Sequence, residues 1–472
     1  MNKYFLAIFC SMSLVADTLA AANLMRTNSV ENGQATTNYI LDSPFLRVVV
    51  SPKKGGGITK LFFKKAKLSL HDGLSFTEQL YHHFPENGRI VEDFESLEQS
   101  AFTVVQEEVT TQDPKSISLT LSGQSGSFTN LQLIKTYRLY EEECGLYVEY
   151  RLCNMDSRSI EAGLWVHAHL RTVVPNQTER YLFFMPTASG ITQVTHPSNK
   201  PAAEYYYALN PSLNWKAFID LESKVGAAIV TDYAPLSCFR DWHELNGNRS
   251  STDLVFRQHN IKPRQEWATT VRLFPFREMD RVDGVMNDMI AYEVNCTAEG
   301  MRSNGMANVS LRLAYPGTRK TPGIPSDPIT LRCKLWLQST NNMPLAYPTP
   351  ASLHNTNTQI LILQSTASFK AGATIHFSNT FRKPVDGTYN YNLELYQGTI
   401  LYGQSIMPIA ISDVAVTTNL VIPAMDTAKT GTECLKPWKM LYRKIPDNVT
   451  GSLKEKQTDA TVGSQSETNS AD

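Results

Sequence analysis

Short runs of β-branched and aromatic residues, separated by turn residues, follow one another along most of the chain. The clearest runs are FLRVVVSP, ITKLFF, SISLTLSG, LQLIKTYRLY, GLYVEYRLCN, GLWVHAHL, KVGAAIVTDY, LVFRQHNI and WATTVRLFPF. Runs of this length and composition predict β-strands. Helical periodicity is scarce, and the best helix candidate is DRVDGVMNDMIAYE at residues 280–293. The fold class is therefore predicted to be all-β.

The strand pattern divides the chain into regions. Residues 23–290 are predicted to form one large antiparallel sandwich, in which KTYRLYEEECGLYVEYRLCN makes a long hairpin and GLWVHAHL lies beside it. The shorter strands of residues 291–425 fit a smaller immunoglobulin-like β-sandwich. Residues 426–472 lose the hydrophobic pattern, and their polar composition predicts a disordered tail.

The first 22 residues look like a signal peptide, which predicts a periplasmic or secreted protein. Lys3 precedes an apolar run, and Ala20 to Ala22 supply small residues for cleavage. No later run is long and apolar enough to predict a membrane span. A formal net charge of −1 disfavours nucleic acid as a partner. A Cys296–Cys333 disulfide is one option after export, and the lack of any CxxC pair gives no sign of zinc.

The segment GLWVHAHL carries two histidines at a spacing of two, which places them on the same face of a strand. Trp165, His167 and His169 share that face. The other face is apolar and is predicted to point into the core; it carries Leu164, Val166, Ala168 and Leu170. Three interpretations of the histidine pair stay open: the floor of a binding cleft, a satisfied buried pair, or a metal pair.

Three other stretches carry residues suited to chemistry or binding. Gly55 to Gly57 predict a tight turn, because no Gly-Lys-Ser/Thr follows to complete a phosphate loop. LYHHFPENGR, with His82, His83 and Glu86, fits the rim of a cleft, a metal site or a plain loop. SCFRDWHELNGN combines a tryptophan with charged side chains, as sugar sites do, although a buried tryptophan with a surface ion pair fits equally. No Gly-x-Ser-x-Gly hydrolase motif occurs.

Three segments in sequence resemble the galactose-mutarotase-like supersandwich family: VVVSPKKGGGITKLFF, TYRLYEEECGLYVEYRLCNMDSRSIEAGLWVHAHL and IKPRQEWATTVRLFPF. The resemblance implies that His167 or His169 is a cleft histidine acting as general acid at a sugar ring oxygen, opposite a carboxylate base. Asp241 or Glu244 is the best candidate for that base. The chain departs from the family pattern, since the Glu-Pro of the base and the glycine of the late turn at Pro263–Glu266 are missing.

The function predicted is that of an exported protein that binds or processes a sugar or glycan in the supersandwich cleft. Three versions stay open: an epimerase or polysaccharide lyase, a noncatalytic glycan-binding or envelope-assembly protein, and a structural surface protein with a vestigial cleft. No metal or cofactor is expected. The candidate catalytic residues are His167, His169, Asp241 and Glu244, and the candidate substrate-binding residues are Trp165, Arg171, His82, His83, Arg240, Trp242 and His243.

Overall fold

The structure, a computed structural model, is all-β. It describes residues 21–31, 34–70, 74–81, 94–112, 114–128, 130–170, 181–187, 190–195, 204–209, 211–243, 250–286, 290–297, 306–317, 329–339, 359–382, 387–411, 416–418 and 442–444. Every regular element in these ranges is a strand. No helix of the described ranges is long and apolar enough to cross a membrane.

The first five strands form an antiparallel sheet in chain order. They are β1 (Asn23–Glu31), β2 (Gln34–Asp42), β3 (Leu46–Ser51), β4 (Gly57–Phe63) and β5 (Leu68–Ser69). The glycine triplet lies at the tight turn between β3 and β4, as the sequence predicts. Gly55 and Gly56 have φ angles of 59° and 58°, and a Cβ on Gly55 would lie 2.5 Å from the carbonyl oxygen of Leu97. Glycine is required there by both its backbone angle and the close approach.

Two larger antiparallel sheets build the main sandwich. Their strands are β6 (Thr77–Tyr81), β7 (Phe94–Ser96), β8 (Thr103–Thr110), β9 (Ser116–Gln124), β10 (Leu131–Tyr140), β11 (Leu146–Asn154), β12 (Ile160–Ala168), β13 (Tyr181–Thr187), β14 (Gly190–Thr195), β15 (Glu204–Leu209), β16 (Trp215–Asp220), β17 (Val225–Thr231), β18 (Leu236–His243), β19 (Ser250–Phe256), β20 (His259–Ile261) and β21 (Glu266–Arg277). One sheet has the order β14-β13-β16-β17-β21-β11-β10-β9-β8. The other contains β15-β18-β19-β12-β6-β7, and β20 pairs with β12.

Apolar side chains and two buried ion pairs fill the space between these sheets. Lys135 on β10 donates to both carboxylate oxygens of Glu78 on β6, at 2.8 and 2.7 Å, and to the carbonyl oxygens of Gly55 and Phe76. Lys216 on β16 contacts Asp241 on β18 at 2.6 Å. Each pair joins one sheet to the other. Buried charges need such partners because an unpaired charge in the core is strongly unfavourable.

The later strands form two further antiparallel sheets around a separate apolar core. They are β22 (Gly284–Met286), β23 (Ile290–Thr297), β24 (Met306–Tyr315), β25 (Ile329–Ser339), β26 (Gln359–Phe369), β27 (Ala373–Arg382), β28 (Gly387–Gln397), β29 (Ile400–Ile411) and β30 (Val416–Thr418). Their orders are β22-β23-β24-β27 and β26-β25-β28-β29-β30. The assignment of this unit as immunoglobulin-like, and the domain limits predicted above, stay predictions.

The best helix candidate of the sequence, residues 280–293, is not helical where the structure describes it. β22 and β23 pair there as an antiparallel hairpin, with Gly284 opposite Tyr292 and Met286 opposite Ile290. Ile290, Tyr292 and Val294 alternate into the second core at period two, which is the strand period. The buried carboxylate of Asp283 accepts the backbone N–H of Val294 at 2.7 Å and fixes the entry of the chain into the hairpin.

Two further predictions need correction. Cys296 and Cys333 are buried free thiols, so the disulfide considered for them is not formed in the structure. Within the tail predicted to be disordered, the structure describes Tyr442–Lys444 as a strand, β31, that pairs with β15. The prediction therefore does not hold for those three residues.

The two sandwiches meet at an apolar junction. Ala291 and Ala314 of the second sandwich belong to one buried cluster with Trp215, Phe274 and Phe276 of the nine-stranded sheet. Polar contacts reinforce the junction: the N–H of Cys144 donates to the carbonyl oxygen of Pro316 at 2.6 Å, and the Thr374 hydroxyl to that of Arg277 at 2.6 Å.

Candidate functional site

β12 presents two different faces, as its alternating sequence predicts. Leu164, Val166 and Ala168 are fully buried and belong to the core of the main sandwich. Trp165 and His167 lie on the opposite face of the sheet. Trp165 is only 2% exposed and the His167 side chain 14%, so this second face is not an open solvated surface.

His167 lies in a row of side chains that crosses three strands. His167 pairs in register with Asp253 on β19, and Asp253 pairs with Arg240 on β18. Cross-strand partners share a face, so the three side chains meet. Nδ1 of His167 is 3.2 Å from Oδ1 of Asp253, and Nη1 of Arg240 donates to Oδ2 at 2.5 Å. The carboxylate thus accepts a hydrogen bond from Arg240 and lies within ion-pair distance of the His167 imidazole.

Trp165 completes this cluster through its ring faces. Its ring is stacked with that of His167, with centroids 4.9 Å apart and planes inclined by 27°. The Arg240 guanidinium lies 4.5 Å from the centroid of the indole. Stacking and cation–π contacts hold flat groups in fixed orientations. We call Trp165, His167, Arg240 and Asp253 the His–Asp cluster.

The charge state of the cluster follows from its burial. Asp253 is fully buried, which by itself raises the pKa of a carboxyl group. The positive charges of His167 and Arg240 outweigh that effect and hold the pKa of Asp253 well below its usual range. Asp253 is therefore a carboxylate at neutral pH, suited to accept the Nδ1–H of His167.

Several buried polar atoms of the cluster have no hydrogen-bond partner in the described part of the chain. Among them are Nε2 of His167, Nε1 of Trp165 and Oδ1 of Asp253. Since buried polar atoms are normally satisfied, such atoms mark a place where a ligand group or water can bind. With Nδ1 facing Asp253, Nε2 is the nitrogen left to exchange a proton.

The other predicted site residues are only partly brought together. Asp241 lies on the core face, bonded to Lys216 and to the Thr252 hydroxyl at 2.7 Å, and therefore does not face His167. His169 follows the end of β12, and its N–H donates to the Ser75 hydroxyl. Trp242 and His243 are described only through their backbone pairing on β18. His82, His83, Arg171 and Glu244 lie outside the described residues.

Asp253 is the functional candidate that the sequence analysis missed. The run LVFRQHNI was taken to begin at Leu254, which left Asp253 just outside the predicted strand. The signal was present in the alternation: Thr252, Leu254 and Phe256 face the core, so Asp253 must face the other way. No group of three His, Cys, Asp or Glu side chains suited to a metal ion occurs among the residues whose positions are described.

Comparisons with known proteins give structural similarity only. A candidate aldose 1-epimerase from Klebsiella pneumoniae is 12% identical, with a TM-score of 0.46 over 55% of this chain and 85% of that one. A galactose mutarotase-like protein from Clostridium acetobutylicum is 9% identical, with a TM-score of 0.41 over 54% and 99%. A galactose mutarotase related enzyme from Lactobacillus acidophilus is 12% identical, with a TM-score of 0.38 over 52% and 99%.

No protein-family model and no curated protein sequence matches the chain. The predicted similarity to galactose-mutarotase-like structures is confirmed by the structural comparison, and the all-β fold class is confirmed by the strands of the described residues.

Proposed function

We propose that the face of the sheet carrying the His–Asp cluster binds a sugar or glycan and that His167 acts there as an acid–base group. The observation that carries the proposal is the orientation of one imidazole. Asp253 lies at Nδ1 while Nε2, buried and without a partner among the described residues, is left for a ligand. A buried carboxylate placed at one ring nitrogen of a histidine in this way sets its tautomer and its orientation.

The chemistry of a sugar fits the groups that line this face. Nε2–H of a protonated His167 can donate to a ring oxygen, and the N–H of Trp165 can donate to a hydroxyl group. Arg240 binds Asp253 and so acts on the ligand only through the orientation of His167. In an epimerase a second group must accept a hydroxyl proton; Glu244 stays the prediction for that base.

A noncatalytic role in envelope assembly or surface structure is the second candidate. Burial of Trp165 and Asp253 favours it, because a face with little exposure offers a ligand little room. In that case the His–Asp cluster is a structural unit, and the cleft is vestigial.

Measuring anomeric exchange of a panel of aldoses by ¹H NMR, with the full chain present, separates these candidates. An epimerase accelerates exchange for at least one sugar, and His167→Ala abolishes the acceleration. His376→Ala is the matched control, because His376 is an exposed histidine of the second sandwich. Binding of a sugar without acceleration identifies a glycan-binding protein. If no monosaccharide or oligosaccharide binds, the sugar proposal fails.

Export is part of the same proposal and rests on the first 22 residues, of which residues 1–20 lie outside the described part. Lys3, the apolar run that follows it and Ala20 to Ala22 support cleavage near Ala21 or Asn23. N-terminal sequencing of the protein isolated from its own cells tests this, and a chain that still begins at Met1 contradicts it.

A further inference from the structure

The outward face of β25 and β28 in the second sandwich carries an unusual set of side chains. Leu331, Cys333, Leu335 and Leu337 of β25 point into the second core. The residues that alternate with them are Arg332, Lys334 and Trp336, which therefore face outward. On β28, Leu393 and Leu395 are core residues, and Glu394 and Tyr396 lie on the outward face. We call Arg332, Lys334, Trp336, Glu394 and Tyr396 the aromatic platform.

One carboxylate fixes both aromatic rings of the platform. Nε1 of Trp336 donates to Oε2 of Glu394 at 3.1 Å, and the Tyr396 hydroxyl donates to the same oxygen at 2.9 Å. Asn392 donates to the other carboxylate oxygen at 3.3 Å. The polar edges of both rings are thereby satisfied within the protein. A ring whose orientation is fixed in advance loses less conformational entropy when a ligand stacks on it.

Two cations accompany the rings. The Lys334 ammonium lies 5.7 Å from the Trp336 ring centre and 5.2 Å from that of Tyr396, so one lysine joins both rings. The Arg332 guanidinium lies 5.1 Å from the Tyr396 ring centre. Neither cation belongs to an ion pair among the described side chains, and Nη2 of Arg332 donates to the carbonyl oxygen of Gly398 at 3.4 Å. With Glu394 committed to the rings, the platform has a surplus of positive charge and of N–H donors.

Exposed apolar side chains extend the platform on both sides. Leu361, which is 40% exposed, pairs in register with Trp336. Leu401, which is 48% exposed, pairs with Tyr396. The result is a stripe across neighbouring strands in which exposed leucines flank half-buried aromatic rings and two cations that have no carboxylate partner among the described side chains. Contiguous accessible surface of this kind commonly marks a binding site.

We propose that the aromatic platform binds an acidic polysaccharide, whose sugar rings stack on Trp336 and Tyr396 while its carboxylate groups pair with Arg332 and Lys334. A pyranose ring presents C–H groups on its faces and polar groups at its edge, which matches an aromatic ring flanked by N–H donors. Guanidinium binds carboxylate through two parallel hydrogen bonds. This surface is separate from the His–Asp cluster and does not depend on the function proposed for it.

The test is calorimetric binding of the full chain to an oligogalacturonate, compared with a neutral cello-oligosaccharide and with poly-glutamate. We expect binding to the oligogalacturonate, at least about tenfold weaker binding to the neutral oligosaccharide, and no measurable binding to poly-glutamate. Equal affinity for poly-glutamate would show that the surface recognises charge alone, as an acidic-peptide site does. Equal affinity for the neutral chain, or no binding to the oligogalacturonate, also overturns the proposal.

Variants locate the binding on the platform. Trp336→Ala should weaken oligogalacturonate binding about tenfold or more, as loss of an aromatic anchor does. Lys334→Gln should weaken it a few-fold and reduce its salt dependence. Lys370→Gln is the matched control, since Lys370 is an exposed lysine beyond the end of β26. His167→Ala should leave this binding unchanged.

Folding of each variant is checked by its melting temperature. If Trp336→Ala fails to fold, Trp336→Phe keeps a ring but removes the indole N–H that bonds Glu394, and it should weaken binding while the fold is retained. Unchanged affinity in folded Trp336 and Lys334 variants, or loss of binding in His167→Ala, places the ligand elsewhere and contradicts the proposal.

Discussion

At the scale of single residues, Asp253 determines what the candidate site can do. Its carboxylate lies between His167 and Arg240, and it is fully buried. It thus compensates the charge of Arg240, whose side chain is 7% exposed, and orients the imidazole of His167. One residue therefore serves both the stability and the proposed chemistry of the His–Asp cluster.

Replacing Asp253 by asparagine should destabilise the protein by about 3–5 kcal/mol, because it leaves Arg240 buried without an anion. His167→Gln should cost clearly less, since the Asp253–Arg240 pair stays intact. Urea denaturation of both variants checks this. Equal losses for the two variants would show that the histidine, and not the carboxylate, holds the cluster together.

The pKa of Asp253 adds a pH dependence to this prediction. A carboxyl group whose pKa is lowered by folding contributes stability above its unfolded pKa, and that contribution is lost as the pH falls towards the folded value. The wild-type protein should therefore lose more stability than Asp253→Asn between about pH 5 and about pH 2. Parallel pH profiles for the two proteins would contradict the assignment.

At the scale of strands and loops, the sequence predicted which side chains share one face of a strand, but it did not predict which strands pair with each other. The two faces of β12 followed from the order of Leu164, Trp165, Val166 and His167 alone. The partner of His167 did not, because β19 is distant in the chain and its register is set by the packed sheet. Asp241 was chosen for its neighbours in sequence, yet strand alternation turns it to the core, where Lys216 binds it.

For residues 280–293, the sequence did not decide even the local structure, helix or strand. Their apolar residues fit a helical period as well as a strand period, and tertiary contacts decide between them. Asp283 binds the N–H of Val294, and Arg281 pairs with Asp283 at 3.0 Å, so the short β22–β23 hairpin is anchored at its start. Such contacts between residues eleven apart have no local sequence signature.

The buried pair of Lys135 and Glu78 gives a prediction at this scale, because it joins β10 to β6. Lys135→Met leaves Glu78 buried without a cation and should destabilise the protein by about 3–5 kcal/mol. Combining Lys135→Met with Glu78→Leu should recover part of that loss; the carbonyl groups of Gly55 and Phe76 still lose a donor. Urea denaturation measures both variants. A double variant less stable than the single one would show that the carboxylate has another essential role.

At the scale of the whole molecule, the sequence predicted an all-β chain with a large sandwich and similarity to galactose-mutarotase-like structures. It did not predict how the second sandwich is attached. The junction is made by small residues, Ala291 and Ala314, packed on Trp215 and Phe276. The sequence around a buried alanine in a strand does not indicate which sheet the alanine packs against. This contact therefore could not be predicted from the sequence and is known only from the structure.

The junction predicts that the two sandwiches unfold together. Ala314, which is 2% exposed, has no space for a charge, so Ala314→Asp should bury an unpaired carboxylate and separate the sandwiches. Calorimetry should then show two unfolding transitions in place of a single one, the first at a lower temperature than in the wild-type protein. Ser310→Asp is the control, because Ser310 lies on the same strand and is only partly buried. A single, unshifted transition in Ala314→Asp would mean that the alanine contact does not couple the two units. Two transitions in the wild-type protein would mean that they are independent from the start.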